Sequence, residues 1–285
     1  MPLLLALWEP NDGVPCADVL AEKLQGLGLS WYRYGSSRLV WGELAGQIMD
    51  KERILRIALP LVRHYGCAVY LTNIPSSSIR YAFCDLDGTL LRAELLTLLA
   101  EGMPYELEMV EEVVRSMSGE IDFATSFMGR TRLLRGVPVA RLIDVISSVD
   151  LAPGLEALLT QWELEGVGCE LVTGNYQIFA EWMVRRLGLG GYIATDVETK
   201  GGELTGELLG KIVDAEAKAR FLRERVAALC LGASVALAIG DGANDLAMLT
   251  TAGHALLYCS TSGMGEPLSL YEIYRDINAL RGVRI

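Results

Sequence analysis

Two acidic clusters set the chemical character of this chain. Asp85-Leu-Asp-Gly-Thr89 follows the apolar run Tyr81-Ala-Phe-Cys84, and Asp241-Gly-Ala-Asn-Asp245 follows Ser234-Val-Ala-Leu-Ala-Ile-Gly240. An apolar run that breaks into carboxylates and glycine reads as a buried strand with chemistry at its carboxyl end, where open α/β sheets bind ligands. Carboxylates as close as Asp85 and Asp87 repel unless a cation or proton lies between them. The spacing therefore suggests a metal site, or a nucleophile beside an acid/base. Neither run contains histidine, so the oxygen donors suit a hard ion such as Mg²⁺. The plainer alternative is an Asp-Gly turn. A third apolar run ends in Thr173-Gly174-Asn175, where a hydroxyl and adjacent N–H groups either bind a phosphoryl oxygen or cap the next helix. Lys218 on a long helix reads by itself as solvated, and His64 and His254 read as structural.

The elements that must position these groups follow from periodicity. Residues 3–8 read as a strand, 17–27 as a helix, 30–44 as extended segments, 51–65 as a helix and 67–73 as a strand. That order fits a split βαβ, ferredoxin-like module of the kind found in small-ligand regulatory domains. Pro75-Ser-Ser-Ser-Ile79 punctuates its end. Residues 94–149 are helical throughout, with three-to-four spacing in 107–117 and 123–134. A bundle inserted directly after the Asp85 strand would lie above that strand's end and could exclude water there. By pattern alone Met117 and Phe123 are bundle core and Arg130 a surface charge. Beyond Leu151 the pattern gives a helix to about 165, a strand over 167–173, a helix from near 176, and short strands over 192–197 and 203–208. It continues with a helix over 214–229, a strand over 234–240, a helix over 244–251, a strand over 255–259 and a closing helix over 268–280. The division is an N-terminal module (1–75), an α/β core (80–93 and 150–285) and an inserted helical unit (94–149).

Composition narrows the class. With 285 residues, 51% of them hydrophobic, the chain has ample material for an α/β core with additions. A net charge of -11 argues against a nucleic-acid binder or an acidic-membrane binder, since either needs a basic face. An anionic substrate must then be met by a few local cations. Cys16, Cys67, Cys84, Cys169, Cys230 and Cys259 are scattered with no C-x-x-C, which reads as reduced thiols in a cytoplasmic protein without structural zinc. The apolar N-terminus has no basic leader segment and reads as a first strand, and no run approaches transmembrane length.

The motifs together resemble a known family. Asp85-Leu-Asp-Gly-Thr89, Thr173, Lys218 and Gly240-Asp-Gly-Ala-Asn-Asp245 stand in the order and spacing of the four motifs of the haloacid dehalogenase superfamily of phosphohydrolases. Met117-Ser-Gly-Glu-Ile-Asp-Phe123 with Arg130 and Leu133-Leu-Arg-Gly136, and Leu204-Thr-Gly206 through Ile212-Val-Asp214, resemble its phosphoserine-hydrolysing branch. The resemblance spans residues 81–259 and leaves the N-terminal module outside. It implies a Rossmannoid parallel-sheet core with an inserted helical-bundle cap, joined to a small N-terminal α+β module of ferredoxin or ACT type. It further implies Mg²⁺-dependent hydrolysis of O-phospho-L-serine through an aspartyl-phosphate, in serine biosynthesis.

The residue roles implied by the resemblance are specific. Asp85 would be the nucleophile and Asp87 the acid/base, while Thr173 and Lys218 would bind the phosphoryl oxygens. Mg²⁺ would be held by Asp85, the backbone carbonyl of Asp87 and Asp241, with Asn244 and Asp245 completing its shell. Glu94 would accept the substrate ammonium and Arg130 its carboxylate. Met117 and Phe123 would close over both, with Gly174 and Asn244 lining the pocket. The chain departs from the family in having Thr173-Gly-Asn-Tyr176 for Ser-Gly-Gly-Phe, and Gly88 for serine. Asn175 adds a side chain near the pocket and leaves another small phosphomonoester open as substrate, through hydrolysis or phosphotransfer. A ligand-binding protein on an inactive fold is the remaining alternative. The partner expected is a small phosphorylated molecule, with a homodimer left open.

Overall fold

The computed structural model describes residues 3–9, 16–24, 29–33, 39–44, 51–74, 78–117, 120–261 and 267–282. The first elements are β1 (Leu3–Trp8), α1 (Cys16–Lys23), β2 (Leu29–Arg33), β3 (Leu39–Leu44), α2 (Lys51–Tyr65) and β4 (Ala68–Thr72). Their strands pair antiparallel in the order β2-β3-β1-β4. After β5 (Tyr81–Cys84) and a tight turn over Leu86–Leu90 come α3 (Leu95–Ala100), α4 (Glu106–Met117), α5 (Phe123–Leu133) and α6 (Val139–Ser148). The chain then runs through α7 (Leu155–Glu165), β6 (Gly168–Tyr176), α8 (Gln177–Leu187), β7 (Tyr192–Lys200) and β8 (Glu203–Leu209). It closes with α9 (Ala215–Ala228), β9 (Ala236–Gly240), α10 (Leu246–Thr251), β10 (His254–Leu257) and α11 (Leu270–Gly282).

All of these strands join one sheet in the order β2-β3-β1-β4-β10-β9-β5-β6-β7-β8. Its centre, β10-β9-β5-β6-β7, is parallel. Parallel strands are covered on both faces, which is why their sequences are continuous apolar runs. Alternation sends Ala82 and Cys84 into one core layer, while Phe83, Val172 and Ala238 enter the other. The sheet does not stop at the polar stretch after β4, because β4 pairs with β10, setting Tyr70 opposite Leu256. Leu5, Ile54, Leu55 and Val69 accordingly share a core layer with Phe83, Leu246 and Leu249. Lys51 Nζ ties the start of α2 to the end of α10 through the carbonyls of Ala252 (2.6 Å) and Gly253 (3.2 Å). Five of the six free cysteines are buried, and no helix among the described residues is long and apolar enough to cross a membrane.

Two local differences from the sequence expectation bear on the site. The strand expected to end at Thr173 continues to Tyr176, with a register shift between Val172 and Tyr176. Thr195 explains the extension: its buried hydroxyl donates to the Gly174 carbonyl (2.8 Å) and accepts from the Val213 N–H (3.0 Å). That satisfies backbone groups which would otherwise favour an earlier helix. The helix expected over 244–251 begins as a 3₁₀ turn at Ala243–Asp245, which directs Asp245 back toward β9.

A shared core layer predicts shared unfolding. Leu55→Ala, at a fully buried position of α2, is expected to cost about 2–5 kcal/mol. In urea denaturation followed by circular dichroism the loss should appear within one cooperative transition. A separate early transition for residues 3–72, leaving the rest unchanged, would contradict the continuity of the core.

Candidate active site

The parallel strands bring the acidic groups to one end of the sheet. Asp85 follows β5 in extended conformation, and the next residues turn sharply, with Gly88 at φ 68°. A Cβ on Gly88 would lie 2.7 Å from Asp241 Oδ2. Glycine therefore serves this position twice, by its left-handed backbone and by the space it leaves for the neighbouring carboxylate. Asp241 follows β9, the strand hydrogen-bonded to β5, so the two acids meet across adjacent strand ends. Asp245 completes the group: ligand oxygens of Asp85, Asp241 and Asp245 lie within 4.8 Å of one another, and all three residues are buried.

Lys218, fully buried on α9, donates from Nζ to Asp85 Oδ1 and, at 2.8 Å, to Asp245 Oδ1. Burial alone would depress the ammonium's pKa, but Asp245 and Asp85 more than reverse that effect and hold it raised. Helix α9 is fixed by Asp214, whose side chain caps it by accepting from the Ala217 N–H (2.8 Å). Asp245 also accepts from the Gly242 N–H through Oδ2 (3.0 Å), so both of its oxygens are engaged.

The carboxyls remain under electrostatic load despite Lys218. Burial, then the charge of Asp245, pushes Asp85 well above the ordinary carboxylate range, and Lys218 offsets only part of this. Asp241 is pushed up to about 7 by burial, with Arg63 opposing. Three buried acids offering oxygen alone, two of them, Asp85 and Asp241, raised in pKa by enclosure and by neighbouring carboxylates, fit a hard divalent cation, whose charge would relieve that repulsion.

Above this floor lies a cavity of about 760 Å³ lined by Asp85, Asp87, Glu94, Phe123, Arg130, Thr173, Gly174, Asp241 and Asn244, together with Arg63 and Asn175. Asp87 accepts from the Leu95 N–H through Oδ1 (2.7 Å) and from Asn175 Nδ2 through Oδ2 (3.0 Å). Burial raises its pKa, against the lowering effect of these hydrogen bonds. The Thr173 hydroxyl accepts from the Asn175 N–H (3.0 Å), and a side chain on Gly174 would collide with the Phe123 ring. Arg130 stands over the Phe127 ring, 5.5 Å from its centroid. Its Nε is buried without a hydrogen-bond partner. Glu94 is raised to about 8 by enclosure and by the carboxylates of Asp87 and Asp241, with Arg63 and Arg130 opposing.

A family model for haloacid dehalogenase-like hydrolases matches residues 82–250, the stretch that carries every one of these motifs. The chain belongs to that family. Among its relatives, a protein named phosphoserine phosphatase from Streptomyces coelicolor is 36% identical over 186 residues, covering 65% of this chain and 45% of the relative. A phosphoserine phosphatase from Lactococcus lactis is 32% identical over 193 residues, covering 68% of this chain and 89% of the relative. Among solved structures, a haloacid dehalogenase-family hydrolase from Salmonella enterica serovar Typhi superposes with a TM-score of 0.65 at 25% identity, over 88% of this chain and 87% of that one. The chain spans about half the length of several curated relatives that it matches.

The structure brings the expected site residues of this family member together, with one exception. Lys218 and Asp245 lie beneath the cavity floor, tied to Asp85. The side chain of Met117 lies outside the described residues. Asn175 lies in the pocket lining, as expected, and its donation to Asp87 is the part that the sequence did not show. Arg63 escaped the sequence reading: it comes from α2, where a charge on an amphipathic helix looks like any solvated one. Asn175 stood at a departure from the motif, which was a usable signal, whereas Arg63 gave none.

The acidic cluster carries its own test. Mg²⁺ at 100 times its dissociation constant is expected to stabilise the fold by about 2.7 kcal/mol. Asp241→Asn should remove most of that increment in a thermal melt. Equal stabilisation of variant and parent would place the cation elsewhere.

Proposed function

We propose that this chain is a phosphatase that hydrolyses O-phospho-L-serine to L-serine and phosphate, as a step of serine biosynthesis. The observation that carries this reading is Arg130, a half-buried guanidinium that lines the same cavity as Glu94 and Asp85 and whose Nε is buried without a partner. A buried donor without a partner is costly, and a planar carboxylate would satisfy it in two hydrogen bonds. Glu94 offers the complementary acceptor for an ammonium, whose charge would hold the carboxyl ionised at neutral pH. A molecule bearing phosphate, ammonium and carboxylate on a short carbon frame meets all three demands. The names of the relatives agree with this reading.

In the proposed chemistry, Asp85 attacks phosphorus and becomes an aspartyl-phosphate while Asp87 donates its proton to the leaving serine oxygen. Its raised pKa favours the protonated form needed for that step. Asp87 then takes a proton from water, which attacks the phosphorus of the acyl-phosphate; the bond to Asp85 Oδ breaks and phosphate leaves. Lys218 holds Asp85 in register and, with Thr173 and backbone N–H groups near Gly174, balances charge developing on the phosphoryl oxygens. Mg²⁺, held by Asp85, the Asp87 carbonyl and Asp241 with Asn244 and Asp245 near it, would supply neutralising charge to nucleophile and phosphoryl group. Phe123 excludes water from one wall. In this scheme residues 94–149 act as a cap over the core formed by 80–93 and 150–285. Residues 1–75 would be a regulatory module of ferredoxin type; the antiparallel order β2-β3-β1-β4 supports that type of fold.

Asn175 bears directly on substrate choice. Its amide is spent within the protein, donating to Asp87 and accepting from the Tyr176 N–H (2.8 Å), so it does not compete for the amino-acid end of the substrate. A panel of phosphomonoesters with purified protein tests the assignment, with phosphoserine expected to give the highest kcat/KM. Asp85→Asn should abolish turnover. Arg130→Ala should cost about 2–5 kcal/mol in kcat/KM for phosphoserine and far less for an aryl phosphate. Equal losses for the two substrates would make Arg130 a support of the helices instead. Asn175→Ala should lower kcat about tenfold or more with KM little changed, the scale of one hydrogen bond to a charged group.

A further inference from the structure

Among the described residues of the N-terminal part of the chain, Arg63 sends a charged side chain to the cavity. Helix α2 buries Ile54, Leu55, Ala58, Leu61 and Val62 against the sheet, and this fixes the direction in which its last turn points. Arg63, in that turn, reaches the end of β9 and donates from Nη2 to Asp241 Oδ2 at 3.2 Å. The same Nη2 lies 3.8 Å from Glu94 Oε1. Asp241 is buried, while the Arg63 side chain is 35% exposed.

We propose that Arg63 is a positioning residue that acts as a displaceable counter-cation for the metal site, so that α2 helps to set the site's affinity for divalent ions. An oxygen that gives its lone pairs to a metal ion is a poor acceptor for a guanidinium, and two cations held at one carboxylate repel. Arg63 and a cation therefore compete for Asp241. The competition is reversible at modest cost because Glu94 stands within reach: on leaving Asp241 the guanidinium keeps a carboxylate partner and is not stranded as a buried charge. The coupling must be reciprocal. A cation that releases Arg63 loosens the last turn of α2 from the core, and anything that holds α2 in place weakens cation binding. This gives the N-terminal strands and α2 a physical line to the active site.

The inference rests on Asp241 as a cation ligand and not on the identity of the substrate, so its test reads cation binding without turnover. Mn²⁺ affinity of the full chain is measured by electron paramagnetic resonance for the parent, Arg63→Gln and Arg63→Lys. Arg63→Gln is expected to bind Mn²⁺ about tenfold more tightly, the equivalent of one lost charge-assisted hydrogen bond. Arg63→Lys keeps the charge and should stay within about threefold of the parent, since the contact is a single N–H and not a bidentate fork. Unchanged or weaker binding by Arg63→Gln overturns the proposal, as does a lysine variant that behaves like glutamine. Should Arg63→Gln fail to fold, the parent protein decides: Mg²⁺ must speed amide hydrogen exchange in the last turn of α2, and unchanged or slower exchange refutes the competition. A parent that binds no divalent ion refutes this inference and the metal reading together, whereas loss of phosphoserine turnover alone touches only the proposed substrate.

Discussion

The contact on which the site depends is the bridge from Lys218 to Asp85 and Asp245. A fully buried ammonium is tolerable only because carboxylates meet it, and buried carboxylates at this density are tolerable only because a cation meets them. The bridge therefore fixes three elements at once: α9 must approach the end of β5, the turn after β9 must fold back, and both must do so in a water-poor space. Neighbouring details follow from that requirement. Asp214 caps α9 so that its first turn is held near the strand ends. Position 240 carries no side chain, since a Cβ there would lie 2.5 Å from the Asp245 carboxyl carbon. Asp245 has its second oxygen satisfied by the Gly242 N–H, so neither of its oxygens is left unpaired.

Charge is arranged differently in the walls than in the floor. The floor bridge is closed and geometrically over-determined, as a group proposed to hold a nucleophile in register has to be. The walls keep Arg130 and Glu94 without a fixed partner for each other, an arrangement that costs stability until something of complementary charge enters. Arg63 lies between these cases, held by Asp241 yet near enough to Glu94 to change partners. Among the described residues the site thus holds Lys218 in a closed bridge, Arg130 proposed to wait for a substrate, and Arg63 proposed to be displaceable.

The strand ends were legible because apolar runs that break into carboxylates can be recognised without any knowledge of packing, and Asp85 and Asp241 were found that way. Lys218 was not legible from its residue pattern. Nothing in the spacing of α9 tells which of its charged residues points inward, since that depends on how the helix docks on strands far away in sequence, and the family resemblance supplied what periodicity could not. Arg63 had neither aid. The resemblance began at the start of β5, and the polar stretch after β4 looked like a boundary, whereas backbone pairing between β4 and β10 continues across it. Such pairing is a long-range choice that leaves little trace in local composition. The extension of β6 to Tyr176 was hidden for a similar reason, because it is Thr195, on the next strand, that satisfies the backbone there.

Asn175 shows how a departure from a family motif can conserve a constraint. Glycine at this position would leave the Asp87 carboxyl held by the Leu95 N–H alone. The asparagine supplies a second donor to Asp87 and, through its own Oδ1, an acceptor for the Tyr176 N–H. Tyr176 in turn donates from its buried hydroxyl to Thr131 (2.9 Å), whose hydroxyl donates to the Phe127 carbonyl (2.8 Å). This chain of hydrogen bonds runs from Asp87, through the end of β6, into α5, the helix that carries Arg130. Tyrosine where the family usually has phenylalanine supplies the hydroxyl that makes the last connection. The two departures thus act as a pair: one stiffens the residue proposed to move protons, and the other ties it to the helix proposed to recognise the substrate. A helix α5 that docks through a fixed hydrogen bond orients Arg130 relative to Asp87 more tightly than apolar packing alone, since packing tolerates sliding that a hydrogen bond at 2.9 Å does not.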